Sequence, residues 1–402
     1  MRRSAGLVIL VTCSYPPCRA LLFIMAKKTS KTSSKVQSAG KPAKSVKAAQ
    51  PAKVEKAKSK SDKSAKAAKV EKAPKLKSLP FWIGFDLGGT KMLACVLDKD
   101  YNVLGTARKS TGGSDGQVKG RKKIISAIHE AISEAGVDPK GLQGIGIGCP
   151  GLVNPEKGIL INAPNLGWNN MGLAGILKTA FKKPVTVLND VDAGTFGEFK
   201  LGAGQGARSL LGVFPGTGVG AGFVYNGQLI MGRTASAMEL GMIYLPGTHL
   251  GSEQHGAVML EDLTSRLALA SQAGIACYRG QLPELDKKTR GNLRDIRSKA
   301  LANSFKSGDD AGMIMFGNSI RFLGMGVAAV VNLFAPDQIT LGGGLVEELP
   351  GLYVNLLKEE VNRFAIPALA RGIKYSVAKL GGTAVAVGSV AWLREKKPTV
   401  TA

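Results

Sequence analysis

Phe85-Asp86-Leu87-Gly88-Gly89-Thr90-Lys91 lies between two apolar runs, Phe81-Trp82-Ile83-Gly84 before it and Met92-Leu93-Ala94-Cys95-Val96-Leu97 after it. Each run reads as a strand, and the Gly-Gly-Thr between them reads as a tight hairpin turn. Glycines there let backbone N–H groups come close to an anion, while Thr90 offers a hydroxyl and Lys91 a positive charge. Asp86, at the strand end, is placed to hold a magnesium ion through water. This corner suits phosphate, but it differs from the P-loop, in which the lysine follows a longer loop and precedes a helix. Alone, the segment reads equally well as an ordinary Gly-rich hairpin, so the decision rests on the rest of the chain.

Two more glycine turns follow hydrophobic strands. Ser209–Phe214 runs into Pro215-Gly216-Thr217-Gly218-Val219-Gly220, and Gln338–Leu341 runs into Gly342-Gly343-Gly344. A further buried strand, Val185–Leu188, ends at Asn189-Asp190, and another, Gln143–Gly148, ends at Cys149-Pro150-Gly151. Helices are expected near Gly120–Ala135, Ala257–Ala273 and Ala311–Phe334, and from Gly382-Thr383-Ala384 onward, by their 3.6-residue apolar spacing. His129 falls on the first of these and reads as a surface histidine. Strands alternating with helices indicate a mixed α/β protein. Two hairpins with glycine turns, each followed by α/β units, suggest a duplicated architecture with a cleft between its halves.

The chain has 402 residues, 44% of them hydrophobic, enough for two domains with real cores. Its net charge of +25 suggests a nucleic-acid binder until the charge is located. Residues 26–78 hold 17 lysines against Glu55, Asp62 and Glu71, and Arg2, Arg3 and Arg19 add three more positive charges, which leaves only about +8 on residues 79–402. The extension is built of Lys, Ala, Ser and Pro without an aromatic residue, so it is expected to be disordered. It reads either as a salt-sensitive arm for phosphate backbones or as a solubilising tail. Residues 1–24 carry Arg2, Arg3 and two short apolar runs broken by Pro16-Pro17. Neither run reaches the roughly 18–20 residues of a membrane-spanning helix, and translation is expected to start at Met25. Cys95, Cys149 and Cys277 are isolated, with no pairing or metal spacing, which points to a reducing cytoplasm.

With these pieces in order, the body resembles the ROK family (repressors, open reading frames and sugar kinases) of the actin-like ATPase superfamily, over about residues 81–395. Asp86-Leu87-Gly88-Gly89-Thr90-Lys91 looks like the family's first phosphate loop and Gly216-Thr217-Gly218 like its second. Gly342-Gly343-Gly344 resembles its adenosine-side loop. Gly146–Gly151 and Ala163-Pro164-Asn165-Leu166-Gly167-Trp168 look like segments lining the sugar side, and Asn189-Asp190 like the catalytic pair.

The resemblance implies a two-lobed actin-like (ribonuclease H-like) fold. One lobe would span 79–192, with a last helix over 384–397 packing back on it, and the other 193–383. It implies an ATP- and Mg2+-dependent hexose kinase, glucokinase-like, acting on the 6-hydroxyl of glucose. A hydroxyl attacking phosphorus needs a base, and Asp190 is that candidate. Its competing reading is a helix N-cap. Asn165, Asn189, Glu239 and Glu261 are the candidate sugar ligands, and Lys91 and Thr217 the partners of the phosphates. Asp192 stands where the family usually has Asn, and reads as support for the base or as a cap.

Glu239-Leu240-Gly241-Met242 resembles the family's Glu-x-Gly-His with Met in place of the histidine, and the segment from Gly251 to Glu261 has no cysteine. No zinc is therefore expected. Three alternatives stay open: polyphosphate as donor, another hexose (fructose, mannose, allose or an N-acyl amino sugar) as acceptor, and a sugar-binding regulator whose basic tail binds nucleic acid without sequence preference. The family also carries an expectation of a homodimer. A membrane partner is not expected.

Overall fold

The computed structural model describes residues 77–233, 236–246 and 257–396. The basic extension up to residue 76, and the proposed start at Met25, lie outside them. Lys77 already forms a parallel bridge with Val137, two residues ahead of the expected boundary at Leu79.

The first half begins with the antiparallel strands β1 (Phe81–Leu87), β2 (Lys91–Leu97) and β3 (Val103–Ser110). Helix α1 (Gly116–Ala135) follows, then β4 (Leu142–Cys149). A small sheet comes next, made of β5 (Leu152–Asn154), β6 (Ile159–Ala163) and β7 (Trp168–Met171). Helix α2 (Leu173–Phe181), strand β8 (Val185–Asn189) and helix α3 (Asp190–Leu201) complete it. The main sheet has the order β3-β2-β1-β4-β8, with β4 and β8 parallel to β1. Strand alternation divides its side chains between two faces. Phe81, Ile83 and Phe85 pack with Ile124, Ile128 and Ile132 of α1, and Leu93, Cys95 and Leu97 face the other way.

The second half repeats the plan. Strands β9 (Ser209–Pro215), β10 (Val219–Tyr225) and β11 (Gln228–Leu229) are antiparallel. A small hairpin pairs β12 (Tyr244–Pro246) with β13 (Ala257–Met259). Five helices follow: α4 (Leu260–Thr264), α5 (Arg266–Tyr278), α6 (Pro283–Thr289), α7 (Ser298–Lys306) and α8 (Asp310–Phe334). After β14 (Gln338–Leu341) come α9 (Gly344–Glu348), α10 (Pro350–Phe364), α11 (Pro367–Ala370), β15 (Lys374–Val377) and α12 (Ala384–Glu395). The sheet order, β11-β10-β9-β14-β15, is the counterpart of the first. Helix α8 is long and apolar enough to cross a membrane, but its Phe316, Ile320, Leu323 and Val327 are fully buried in the core of this half.

Helices α3 and α12 join the halves. Helix α12 returns to the first sheet, where Ala386, Val387 and Val390 cover Leu93, Cys95 and Leu97. A Cβ on Gly84 or Gly146 would collide with the α12 backbone, and one on Gly388 would collide with the Ala193 carbonyl of α3. The two helices thus touch at backbone level. Glu198 of α3, fully buried, accepts hydrogen bonds from the N–H groups of Ala203 (2.8 Å), Lys379 (3.0 Å) and Leu380 (2.7 Å). One carboxylate therefore ties the end of α3 to the segment leading into α12. Because α3 packs on β4, β9 and β10 alike, the expected lobe boundary at 192/193 falls inside a helix.

Other differences have local causes. The expected helix over 257–273 is a strand and two helices, broken where Ser265 takes extended backbone (φ −70°, ψ 158°). Its Oγ accepts from Ala268 N at 3.1 Å, so the serine caps α5. The small β5–β7 sheet and the helices α6 and α7 had no sequence expectation, being only three to nine residues each. His129 is exposed on α1, as expected.

Candidate active site

Paired residues of neighbouring strands form a row across the first sheet: Arg108, Leu93, Asp86, Gly148 and Leu188. Gly148 lacks the side chain that would fill the space above it, where a Cβ would lie 3.4 Å from Asp190 Cα. The head of α3 is thereby admitted next to Asp86. Asp86 is pushed up to about 7, first by burial and then by the Asp190 charge, with Arg108 opposing. Burial also raises Asp190, against the N–H of Val191, which donates to its Oδ1 at 2.9 Å.

The capping role falls to Asn189, not to Asp190. Asn189 Oδ1 accepts from Val191 N (2.8 Å) and Asp192 N (3.1 Å), and its Nδ2 donates to Gly151 O (3.1 Å). The expectation that Asn189 serves sugar hydroxyls is thus modified, because its amide is committed to the cap and keeps one N–H. Asp190 is the first residue of the helix and has its second oxygen free of any protein partner among the described residues. Asp192 is 1% exposed, and among the described residues neither carboxylate oxygen has a partner at hydrogen-bonding geometry. Burial pushes it up to about 7; the nearby Ser236 hydroxyl opposes this, and Glu239 and Asp190 add to it.

Around this pair the glycine turns converge. Thr111 anchors the first turn, donating through Oγ1 to Gly88 O (2.7 Å) and through N to Thr90 O (2.9 Å). A Cβ on Gly89 would lie 3.6 Å from the Cβ of Asn165, which is exposed on the single turn Pro164–Leu166. Thr90 and Lys91 are exposed, so the hydroxyl and the ammonium are both open to a ligand. The second turn closes with Gly216 N donating to Gly218 O at 2.8 Å, leaving Thr217 exposed at its tip. The third turn lies against the second. Gly342 N donates to Val213 O (3.0 Å), and Gly343, at φ 102°, would bring a Cβ within 2.6 Å of Pro215 O. That conformation and that contact both call for glycine.

Glu239 is exposed, and its carboxyl is raised by partial burial and by the Asp190 and Glu261 charges. It follows Met238, which holds a left-handed φ of 61°, a strained setting for a side-chain-bearing residue. Met242 is 43% exposed beside it. Glu261 is partly engaged, because its Oε2 accepts from Val219 N at 2.7 Å. One of its oxygens braces the second glycine turn, and only the other remains for a ligand. Among the described residues no group of three or more His, Cys, Asp or Glu side chains is arranged to hold a metal, and His249, Glu253 and His255 lie outside them. Sequence reasoning missed Arg266, whose Nη2 donates to Thr217 Oγ1 at 3.2 Å while its backbone N donates to Gly216 O at 2.9 Å. It also missed Arg108 and Thr111, which no motif marks.

A family model described as the ROK family matches residues 82–396. The chain belongs to the ROK family. This ROK chain is 28% identical over 318 residues to a glucokinase of Halalkalibacterium halodurans, a match covering 78% of this chain and 94% of that one. It is 28% identical over 268 residues to a xylose repressor of Caldicellulosiruptor bescii, covering 67% and 66% of the two chains. Among solved structures it is similar to a ROK family glucokinase from Streptomyces griseus in complex with glucose and AMPPNP, at 29% identity and a TM-score of 0.67, covering 78% and 99%. The paired sheets and joining helices are therefore the actin-like ATPase fold.

Proposed function

We propose that this protein is an ATP-dependent hexose kinase that phosphorylates the 6-hydroxyl of glucose. The observation that carries the reading is the placement of Asp190. It opens a half-buried helix next to Asp86, with a free carboxylate oxygen and a raised pKa, among three glycine turns. The glucokinase relatives support the same reading. The Asp190 carboxylate takes the proton of the sugar hydroxyl as its oxygen bonds to the γ-phosphorus, and the bond from that phosphorus to the bridging oxygen breaks toward ADP. Asn165, Glu239 and the free oxygen of Glu261 orient the sugar. Thr217 and the N–H groups of its turn hold the phosphoryl group, and Gly342–Gly344 lie on the adenosine side.

Asp86 fits a magnesium ion: a carboxylate raised to about 7 beside a second acid is a place where a cation is favoured. One carboxylate with nucleotide phosphates is a normal Mg2+ ligand set. The ion supplies neutralisation of phosphate charge when bound. No residue is assigned to zinc. A cytoplasmic location and a homodimer complete the proposal on family grounds.

A coupled ADP-release assay on the full chain, with Mg-ATP and a panel of hexoses, tests it. Glucose raising turnover far above the ATPase background is expected. No response to any sugar would transfer the reading to polyphosphate as donor, with the basic extension as its docking arm, or to the regulator suggested by the repressor relative. For the regulator, nucleic-acid retardation lost on removal of residues 25–78 would assign binding to that extension.

A further inference from the structure

We infer that Arg266 is a phosphoryl-binding residue, a cation that meets the transferring group at the second glycine turn. The inference rests on the kinase reading above and goes beyond the residues that the motifs mark. The segment following β13 grips the turn at both ends. Glu261 Oε2 holds Val219 N, and Arg266 holds Gly216 O through its backbone and Thr217 Oγ1 through its guanidinium. The break at Ser265 makes this grip, because a continuous helix would carry residue 266 away from Gly216.

Charge argues for a ligand. Asp86, Asp190, Asp192, Glu239 and Glu261 all crowd this site, and the Asp190 charge helps to raise both Asp192 and Glu239. Arg266, half-buried, makes no ion pair with any of them among the described residues. It spends one of its five N–H donors on a threonine hydroxyl, whose own hydrogen is left free to donate. The remaining donors, in a planar fork, match the oxygens of a phosphoryl group. As the sugar oxygen bonds to the γ-phosphorus, the electron pair of the breaking bond passes to ADP and the proton to Asp190. The charge held on the equatorial oxygens then lies against Thr217 and Arg266.

Arg266→Gln and Arg266→Lys in the full chain test this, with steady-state kinetics and calorimetric titration by ADP and AMPPNP. Gln keeps a donor for Thr217 and the backbone bond to Gly216, so it removes the charge while preserving the brace. Arg266→Gln should lower kcat/KM for ATP about 100-fold, lower AMPPNP affinity about tenfold, and leave the KM for glucose and the ADP affinity within about threefold. Arg266→Lys should recover part of the loss. A Gln variant within about threefold of wild type in both kcat/KM for ATP and AMPPNP affinity overturns the inference alone, since wild-type turnover still supports a kinase. A wild-type protein that neither turns over nor binds AMPPNP overturns both.

Discussion

Asp190 and Asp192 open the same helix in different company. Asp190 keeps one carboxylate oxygen without a protein partner among the described residues, whereas Asp192 is sealed in with the Ser236 hydroxyl near its carboxylate but no donor at hydrogen-bonding geometry among them. Replacing Asp190 with Asn should lower kcat by about 10²–10⁴ while glucose still binds, as read by steady-state rates and calorimetry. Retained turnover would remove Asp190 from its role. Asp192 should report through stability. Its folded pKa of about 7 lies above the ordinary 3.8, so folding takes up a proton between those values. The folded state is favoured with Asp192 protonated, and it loses stability as pH rises through that window. Asp192→Asn should therefore stabilise the protein at pH 8, by at most about 4 kcal/mol, and much less at pH 4, in urea denaturation at both pH values. At this scale the motifs marked Asp86, Asp190 and the glycine turns as candidates. They could not disclose that Asn189 would be absorbed by the cap, or that Arg266 would reach Thr217, because both depend on which loop a side chain meets after folding.

Helices α3 and α12 carry the connection between the halves, and their contact is a matter of missing side chains. In a solvent-facing helix, Gly→Ala gains about 1 kcal/mol. At Gly388 the sign should reverse, because the new Cβ meets the Ala193 carbonyl, and a loss of about 1–3 kcal/mol is expected in urea denaturation. Glu198→Ala should cost at least ~3 kcal/mol, since the N–H groups of Ala203, Lys379 and Leu380 all lose their acceptor. The strands that end in Gly or Asn-Asp punctuation were legible to within a few residues, as Gln338–Leu341 shows. The break between α4 and α5 was not. Ala257–Ala273 is largely apolar and periodic, and the cap at Ser265 goes with a contact from Arg266 N to Gly216 O that the local sequence does not show.

For the molecule as a whole, the duplication was visible in two hairpins with glycine turns, and both sheets adopt the same strand order. How the halves are joined was not visible, since the α3–α12 contact brings together residues nearly 200 positions apart in the chain. The arrangement has a consequence for chemistry. Asp86 of the first half and Glu239 of the second both feel the Asp190 charge, so closure around sugar and nucleotide would exclude water and direct the phosphoryl group to the sugar. Phosphorus NMR of the full chain incubated with glucose and Mg-ATP tests that most directly. The expected result is a sugar 6-phosphate signal growing in step with ADP, with little inorganic phosphate. Inorganic phosphate as the main product, or no change in ATP, would contradict the account.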